Sequence, residues 1–509
     1  MTHWLNIAAV LVYLLGMLVA GVWFARRNNS TEAYFVGGRN FPGWAVGLSL
    51  IGTSISSITF IAFPADAFKT AWLRFLPTLM LIPAVLFAAR AFLPVFREKN
   101  YTTAYEYLGE RFSGSVRTFA ACAFILMQIV RVSLVLYLVS LLLKELTGLD
   151  PLPCVFIGGI IVIAYTVAGG IEAVIWTDVV QTIVLMLGGV VCLTVIVGQL
   201  PGGFSDIFSI ADEHHKFALA AMKGGVPQPT SWMPSLTEKT AAMMLLVGLI
   251  HYLTEYCGNQ NVVQRYLAAR STGDARQAMY LCAGGSVVSW GLFMFVGTAL
   301  FAFYTIHPSP DAAAILTGAG GHKAEEIMPL FILNHLPPGV AGLVMAAALA
   351  AAMSSLDSSI NAIAAVSVTD LYRRWWSGLS ERHYLRVAQG ISLAAGLLMI
   401  AGSAVLLNAR TETLQDTATI LASLLAAGLL GIYLHGFFLK QTDARGIWAG
   451  LGLAMAYTLW SSLGAFKMIP ENWRLPFDPY YTGLLGNLIV LFAGCALAKL
   501  LPQKSSVVK

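Results

Sequence analysis

The sequence predicts an all-α membrane protein of about thirteen transmembrane helices, and three observations lead to this fold class. First, 57% of the 509 residues are hydrophobic and only 11% are charged, whereas about a quarter of a soluble globular protein is charged. Second, the mean hydropathy is +0.73. Third, thirteen apolar segments of about 20 residues follow one another, and each is long enough to cross the hydrocarbon core as a helix.

These segments are numbered spans 1 to 13. Their centres lie near residues 14, 53, 84, 132, 160, 188, 250, 290, 347, 395, 427, 455 and 490. Span 1, from Leu5 to Phe24, has no basic stretch before it and is followed by Arg26 and Arg27, so we expect a retained span and not a secretory signal. The connecting loops are mostly short, and function must therefore lie among the helices.

Basic side chains in the loops predict the orientation of the chain in the membrane. With the N-terminus outside, 19 of the 31 Lys and Arg residues, Arg265 among them, lie in inner loops or the tail, and 10 lie outside. Arg90 and Arg131 fall within spans. We therefore expect a multi-pass protein of a cell inner membrane with a cytoplasmic C-terminus, and no basic cluster that indicates nucleic-acid binding.

Spans 2 and 7 carry polar groups near their middle, which is unusual for helices that face lipid. Examples are Ser54 and Ser56 in span 2 and Glu255 and Asn259 in span 7. Interrupted polar helices at corresponding positions of two halves are typical of inverted-repeat transporters, in which unwound backbone lines a site near the midplane. We predict one transporter domain over 1–509, composed of a peripheral first span at 1–30, inverted repeats at 41–200 (spans 2–6) and 240–440 (spans 7–11), and peripheral spans 12 and 13 at 446–509.

The stretch AAALAAAMSSLDSSINAIAAV, residues 346–366, places four serines, an aspartate and an asparagine inside span 9. On a helix Ser354, Ser358 and Asn361 share one face. An aspartate at a helix centre costs roughly 2.5 to 3.5 kcal/mol on insertion scales, so this cluster needs partners. Hydroxyl and carbonyl oxygens suit a hard monovalent cation. An ion site is one interpretation; small-residue helix packing with hydroxyls bonded to i−4 carbonyls is the other.

Arg131 stands alone in an otherwise apolar stretch of span 4, FILMQIVRVSLVLYL. An intramembrane arginine is costly unless it faces a cavity and meets an anion or carbonyl dipoles. Its planar guanidinium matches a carboxylate in a bidentate geometry. The residue predicts a clamp for a substrate carboxylate, and an internal salt bridge to Glu255 is the alternative.

Several stretches resemble the sodium/solute symporter family, which includes the sodium/glucose, proline and sialic-acid transporters. They are YFVGGRNFPGWAVGLSLIGTSISSITF (34–60), TTAYEYLGERF (102–112), GGIEAVIWTDVVQ (169–181), NQNVVQRYLAA (259–269), AAAMSSLDSSINA (350–362) and VTDLY (368–372). The resemblance covers spans 1 to 10 and is closest to the bacterial sodium/sialic-acid branch. It implies a leucine-transporter-like core of two inverted five-helix repeats that works by alternating access, driven by the sodium gradient.

The resemblance also implies site residues. The principal sodium site would use the carbonyls of Gly52, Ile55 and Ala351 and the hydroxyls of Ser354 and Ser355. A second sodium site would use Asp178, Ser354 and Ser358, and it has Asp357 where the sialic-acid branch has a serine; the extra carboxylate could strengthen that site, alter the stoichiometry or admit a proton. For Asp178, a carboxylate that only favours a positive helix end is the alternative.

Substrate contacts implied by the same resemblance are Ser54, Ser56, Thr59, Thr78, Arg131, Asn259 and Gln260. Thr78 departs from the sialic-acid branch, which has a glutamine there, and this leaves the ligand open. Asn259 and Gln260 could instead satisfy the backbone of a helix break.

The predicted function is sodium-coupled import of a carboxylated sugar such as sialic acid, with one or two coupling Na+ ions, no organic cofactor, a lipid bilayer around it and a functional monomer. Alternatives are a symporter of a neutral sugar, amino acid or monocarboxylate, or a proton-coupled carrier using groups such as His251. A membrane-embedded hydrolase is a different class, but the chain contains no GxSxG or HExxH sequence. A channel or a sensor is a third class, and a sensor would need a signalling domain.

Overall fold

The computed structural model describes residues 3–25, 30–223, 226–407, 428–439 and 444–500. In these ranges the chain is almost entirely helical, and its helices are labelled in chain order. They are α1 His3–Ala25, α2 Thr31–Val36, α3 Gly43–Ser54, α4 Ser57–Lys69, α5 Leu76–Leu79, α6 Leu81–Glu98, α7 Ala104–Arg111, α8 Gly114–Thr147, α9 Pro151–Gln199, α10 Phe204–Glu213, α11 Ala241–Gly258, α12 Gln260–Ala268, α13 Thr272–Ile306, α14 Pro310–Thr317, α15 Ile327–His335, α16 Val340–Val366, α17 Arg373–Trp375, α18 Glu381–Leu407, α19 Leu429–Phe438, α20 Ala444–Ala465 and α21 Thr482–Leu500.

Nine helices of the described ranges are long and apolar enough to cross a membrane, or ten when the bent pair α3 and α4 is taken as one span. The predicted number of thirteen stays a prediction, and the centre of span 11, at residue 427, lies outside the described residues. The 49-residue α9 is interrupted at Gly170, whose φ of 58° and ψ of −160° are non-helical. Since 49 helical residues would extend about 74 Å, more than twice a bilayer core, this break separates predicted spans 5 and 6.

Both predicted interruptions are present. In span 2, α3 ends at Ser54 and α4 follows at an angle of 55° to it, with Ile55 in an extended conformation (φ −102°, ψ 105°). In span 7, α11 ends at Gly258 and α12 begins at Gln260; between them Asn259 is extended (φ −81°, ψ 119°). Each break leaves helix-end carbonyls and amides that need other partners.

Backbone hydrogen bonds join the segment just before α3 to the end of α12 and the residues that follow it. The N–H of Phe41 donates to the Ala268 carbonyl at 3.2 Å, and the N–H of Arg270 donates to the Phe41 carbonyl at 3.0 Å. All nine residues of α12 are buried. We call these two helices with their connecting bonds the α3–α12 unit.

Helix α16 lies at the centre of the molecule, and every residue from Val344 to Val366 is buried. It packs against α9, α8, α1 and α18 and also contacts α3 and α12. Its run of small residues allows neighbouring backbones to approach closely, as is usual between helices in membranes. The polar stretch that the sequence analysis singled out is therefore enclosed by other helices.

The loop between α9 and α11 contains α10 and a two-stranded antiparallel hairpin, β1 Ala220–Lys223 and β2 Val226–Pro229. Lys216 anchors this loop to the bundle. Its Nζ donates to the carbonyls of Phe68 at 2.6 Å and Thr70 at 3.2 Å and lies 3.7 Å from the centre of the Phe301 ring. The side chain thereby caps the end of α4, because those carbonyls have no further helical partners.

Candidate ion and solute site

The residues predicted for the principal sodium site lie where the break in span 2 meets α16. Gly52 is in the last turn of α3, and a Cβ added to it would lie 3.0 Å from the Ser354 hydroxyl and 2.6 Å from the Thr182 hydroxyl. Only glycine brings the α3 backbone this close to α9 and α16. Ser355 Oγ lies 3.5 Å from the Ala351 carbonyl, one turn earlier in α16.

Asp178 is the hub of a buried polar network and is fully shielded from solvent. Its Oδ1 accepts a hydrogen bond from Ser354, and its Oδ2 accepts one from Ser49 at 2.5 Å. The same Oδ2 forms a salt bridge with Arg265 at 3.0 Å. Asp178 lies eight residues beyond the break at Gly170, so its partners, and not a helix end, account for its position.

Arg265 is also fully buried, and its guanidinium contacts four helices. Besides Asp178 of α9, Nε donates to Ser49 of α3 at 2.9 Å and Nη1 donates to the Asn261 carbonyl of α12 at 2.8 Å. Nη2 also donates to Ser358 of α16. Each nitrogen of this guanidinium has an acceptor, as a buried charge requires.

The predicted polar face of α16 is the surface on which α12 packs. Ser358 binds Arg265, and Asn361 accepts a hydrogen bond from Gln264 at 2.6 Å. The neighbouring Ser359 lies 3.3 Å from the Asn261 amide nitrogen. The serines also bond within α16, since Ser358 donates to the Ser354 carbonyl and Ser359 to the Ser355 carbonyl at 2.9 Å. The hydroxyl bonding to i−4 carbonyls, which was the second interpretation of this stretch, is therefore present, and the ion site stays a prediction.

Asp357 is a second buried carboxylate close to this network. Tyr165 donates to its Oδ2 at 2.8 Å, and the Ser358 hydroxyl lies 3.2 Å from its Oδ1. When both carboxylates are ionised, Arg265, Asp178 and Asp357 together carry one excess negative charge, which a cation or a proton at Asp357 would balance. An uncompensated charge inside the protein is costly, so Asp357 favours either a cation beside it or protonation.

Arg131 is half-buried in α8, and among the described residues it makes no hydrogen bond or ion pair. The alternative salt bridge to Glu255 is not formed in this structure; Glu255 accepts a hydrogen bond from the Asn259 amide at 2.8 Å instead. Arg131 and Glu255 both lie close enough to His251 to act on it electrostatically. The guanidinium is therefore available to a solute.

Four of the predicted substrate residues have partners within the protein. Asn259 caps α12 by accepting from the Asn261 N–H at 3.0 Å. Gln260 accepts from the Ala104 N–H and donates to the Thr102 carbonyl, each at 2.9 Å. Asn259 therefore satisfies the backbone of the break, as the alternative stated, whereas Gln260 bonds the backbone at the start of α7. Thr78 donates to the Phe75 carbonyl at 2.6 Å, and Ser54 lies 3.8 Å from the Cys282 sulfur.

The remaining two substrate candidates, Ser56 and Thr59, are buried at the start of α4. Thr59 accepts a hydrogen bond from the indole of Trp290 at 3.3 Å. Trp290 also stacks on Phe63 and contacts Tyr252, with ring centroids 6.3 and 5.8 Å apart. These aromatic rings were not predicted from the sequence, because aromatic residues are common throughout membrane helices.

The assignment of Arg265 to an inner loop was wrong. It lies inside the bundle because the break at Asn259 is followed by a short buried helix. The signal that could have located it is the spacing of Asn261, Gln264 and Arg265, which places three polar groups on one helical face. The loop charges that remain still favour an external N-terminus.

Comparisons with known proteins identify the family to which this chain is similar. The family model described as "Sodium:solute symporter family" matches residues 34–453. The chain is 32% identical to the sodium/sialic acid symporter NanT of Aliivibrio fischeri, over 96% of this chain and 92% of that protein. It is 31% identical to the sodium/sialic acid symporter SiaT of Proteus mirabilis, over 97% and 95%. It is 32% identical to the human sodium/iodide cotransporter, over 97% and 76%.

Solved structures give the same picture of the fold. A substrate-bound outward-open state of a Na+-coupled sialic acid symporter matches with a TM-score of 0.87 and 30% identity, covering 98% of each chain. The nucleobase-cation-symport-1 family transporter Mhp1, in a closed conformation, matches with a TM-score of 0.57 and 16% identity over 94% of this chain and 97% of that one; this likeness concerns the fold alone. The predicted fold class, an all-α membrane protein with a leucine-transporter-like core, is confirmed.

Proposed function

This chain belongs to the sodium:solute symporter family, and from this premise we propose that it imports sialic acid together with sodium by alternating access. The family is one of transporters, so the prediction that the chain is not an enzyme is confirmed. The observation that carries the proposal is the full-length likeness to a Na+-coupled sialic acid symporter. The broken helix α3–α4, lying against the serines of α16, is the local feature that supports it.

The coupling sodium is assigned to the break in span 2. A hard cation prefers several oxygen ligands, and the last turn of a helix offers carbonyls without intrahelical partners. Gly52 and Ile55 supply such carbonyls, and Ser354 and Ser355 add hydroxyls from α16; the Ala351 carbonyl completes the set. The close approach of Gly52 to Ser354 supports this assignment. A second sodium at Asp178, Ser354, Asp357 and Ser358 stays a prediction.

The solute carboxylate is assigned to Arg131. A charged arginine in a membrane helix with no partner in the described structure is costly in free energy, and a bound anion lowers that cost. The planar fork also distinguishes a carboxylate from a neutral hydroxyl. Thr59 and the rings of Trp290 and Tyr252 lie on the other side of the break and are proposed to contact the rest of the sugar.

The proposal also includes the setting of the protein. We place it in a bacterial inner membrane as a monomer, with the N-terminus outside and the C-terminus in the cytoplasm. Under this orientation the α3–α12 unit faces the cytoplasm and α4 faces the exterior. To test the orientation, His307 is replaced by cysteine and a membrane-impermeant thiol reagent is added from one side of the membrane only. Inhibition of uptake then shows which side this position faces.

The test of function is uptake of labelled sialic acid into proteoliposomes of the purified protein, with and without an inward sodium gradient. Iodide and a short monocarboxylate serve as competitors, because similar proteins carry these solutes in their names. We expect sodium-dependent uptake that unlabelled sialic acid abolishes. Uptake of a competitor in place of sialic acid would refute the substrate and retain the coupling.

Two variants test the assigned residues. Arg131→Ala should remove saturable sialic-acid uptake, whereas Arg90→Ala, at an exposed arginine of α6, should leave it intact. Ser354→Ala with Ser355→Ala should shift the sodium dependence to higher concentration, whereas Ser403→Ala, at a buried hydroxyl of α18 with no partner in the described structure, should not. Unchanged uptake by Arg131→Ala contradicts the carboxylate clamp.

A further inference from the structure

The buried Arg265 binds two residues of the predicted second sodium site, Asp178 and Ser358, and neither the principal sodium site nor the solute site explains its presence there. It joins α12 to α9 through Asp178 and to α16 through Ser358, and it also holds Ser49 of α3. Because α3 and α12 are connected by backbone bonds through Phe41, these contacts attach the whole α3–α12 unit to its neighbours. Breaking a buried ion pair of this kind exposes two charges at once and is costly.

The network also connects directly to the proposed sodium site. Ser354, whose hydroxyl is a proposed ligand, donates its proton to Asp178, which in turn accepts from Arg265. A sodium ion bound to the lone pairs of that hydroxyl polarises the O–H bond and strengthens its donation to the carboxylate. Sodium binding therefore changes the hydrogen bonding of Asp178, and the same carboxylate is bonded directly to Arg265.

Release of the ion requires the same contacts to break. The proposed ligands come from α3 on one side and α16 on the other, so the site opens only when these helices separate. Since α3 is bonded to α12, α12 must move as well, and the bonds of Arg265 to Asp178 and Ser358 must then be lost. The salt bridge between Arg265 and Asp178 must therefore break before the ion can leave the site.

We propose that Arg265 is a positioning residue that couples sodium occupancy to closure of the α3–α12 unit against α9 and α16. The proposal rests on the sodium site assigned to Ser354 under the proposed function. With sodium bound, the Ser354–Asp178–Arg265 chain holds the unit closed; without Arg265 the unit separates from its neighbours whether or not the ion is present. Coupling is then lost, and sodium passes without solute.

The experiment measures sodium in two ways on the purified full-length protein. Direct binding of radioactive sodium in detergent, without solute, gives the affinity; flux of the same ion in proteoliposomes, again without solute, gives the leak. For Arg265→Gln we expect about a tenfold weaker sodium affinity, the size expected for losing a hydrogen bond to a charged group. We also expect a solute-independent leak, with the sialic-acid KM at saturating sodium unchanged.

Matched variants separate positioning from general loosening. Arg265→Lys keeps the charge and should restore part of the affinity. Asp178→Asn combined with Arg265→Gln should be no worse than Arg265→Gln alone, because the pair acts as a unit. Arg117→Gln is the control: it breaks a partly buried ion pair elsewhere, Arg117 Nε to Asp370 at 2.6 Å, and should leave affinity and leak unchanged.

Three results would overturn the proposal: unchanged sodium affinity and no leak in Arg265→Gln, the same leak in Arg117→Gln, or no partial rescue by lysine. If Arg265→Gln does not fold, Ser49→Ala decides instead; it removes one acceptor of Arg265 and should give a smaller shift in the same direction. Because sodium binding is read without solute, failure of the sialic-acid assignment leaves this test intact, and the two failures are distinguishable.

Discussion

The two broken-helix ends are held in different ways. The α3–α12 unit meets α9 and α16 through buried polar groups, with the ion pair of Arg265 and Asp178 at the centre. Helix α4 meets α13 through rings and backbone, as where Phe60 packs on Phe293 with centroids 5.3 Å apart. The first contact is directional and charged, and we call it the polar end; the second is mostly apolar, with one hydrogen bond from Trp290 to Thr59, and we call it the aromatic end.

This difference determines how each contact separates. Polar groups that lose their partners inside a protein cost free energy until new partners are found, so the α3–α12 contact holds fully or not at all. Aromatic and aliphatic surfaces repack with smaller losses of free energy, because few donors or acceptors lose a partner. We infer that the polar end responds to ions, whereas the aromatic end adapts to the shape of the solute.

The largest effect is expected from a substitution that breaks the polar end. Asp178→Leu leaves the Arg265 guanidinium buried without its carboxylate and should lower the free energy of unfolding by about 3–5 kcal/mol. Adding Arg265→Met removes the orphan charge and should recover most of that loss. Thermal unfolding of both variants in detergent measures this; a double variant as unstable as the single one would contradict the comparison.

The second prediction breaks the aromatic end. A Cβ at Gly297 would meet the Pro64 carbonyl oxygen and lie 2.6 Å from Pro64 Cα, so Gly297→Ala must push α13 away from α4. Overpacking of this kind costs about 1–3 kcal/mol. Gly284→Ala, in the same helix with nothing within 4 Å of the added Cβ, is the matched control. Melting temperatures should fall for the first variant only, and equal values would refute the contact.

A smaller effect sharpens the comparison at one hydrogen bond. Trp290→Phe removes the indole that donates to Thr59 at 3.3 Å and should cost about 0.5–1.5 kcal/mol. Thr59→Val removes the acceptor, and the double variant should cost less than the sum of the two. Unfolding in denaturant gives the coupling, and strict additivity would mean that this bond contributes nothing.

The smallest effect concerns pH at the loop that caps α4. Burial lowers the pKa of Lys216 to about 7 from its ordinary 10.5. Between about pH 7 and 10.5, the α9–α11 loop therefore binds fewer protons when Lys216 is packed against the bundle than when it is released. The packed state of the loop becomes more stable as pH rises through that window, and it is least stable below pH 7. Cleavage of the loop by a protease should slow from pH 7 to pH 9.

The control for this prediction lies in the same loop. Lys216→Met should remove the pH dependence of cleavage. His214→Gln should retain it, although the His214 ring also contacts Phe301, with centroids 5.2 Å apart. Cleavage that accelerates with pH in the unaltered protein, after correction for the protease itself, would contradict the sign.

The sequence was sufficient for features that depend on near neighbours along the chain. The breaks at Ile55 and Asn259 follow from polar and small residues within apolar spans, and the face of Ser354, Ser358 and Asn361 follows from the helical period. Family motifs then placed the candidate sodium ligands around the first of these breaks.

Long-range partners were beyond the sequence. Arg265 looks like a loop residue because the nine-residue α12 is too short and too polar to be recognised as part of a span. Its partner Asp178 is 87 positions away, and Gln264 and Asn361 are 97 apart. Pairings at such separations depend on how helices pack, which the pattern of a single chain does not specify.

The enclosed polar face of α16 has a consequence for the order in which the protein is made. Among the described residues, the side chains that hydrogen-bond to this face all precede it in the chain: Thr53, Gln128, Tyr165, Asp178, Asn261, Gln264 and Arg265. Since synthesis proceeds from the N-terminus, these groups are already in the bilayer when the ribosome delivers α16. A helix that would be expensive to insert alone thus enters a membrane that already contains its partners.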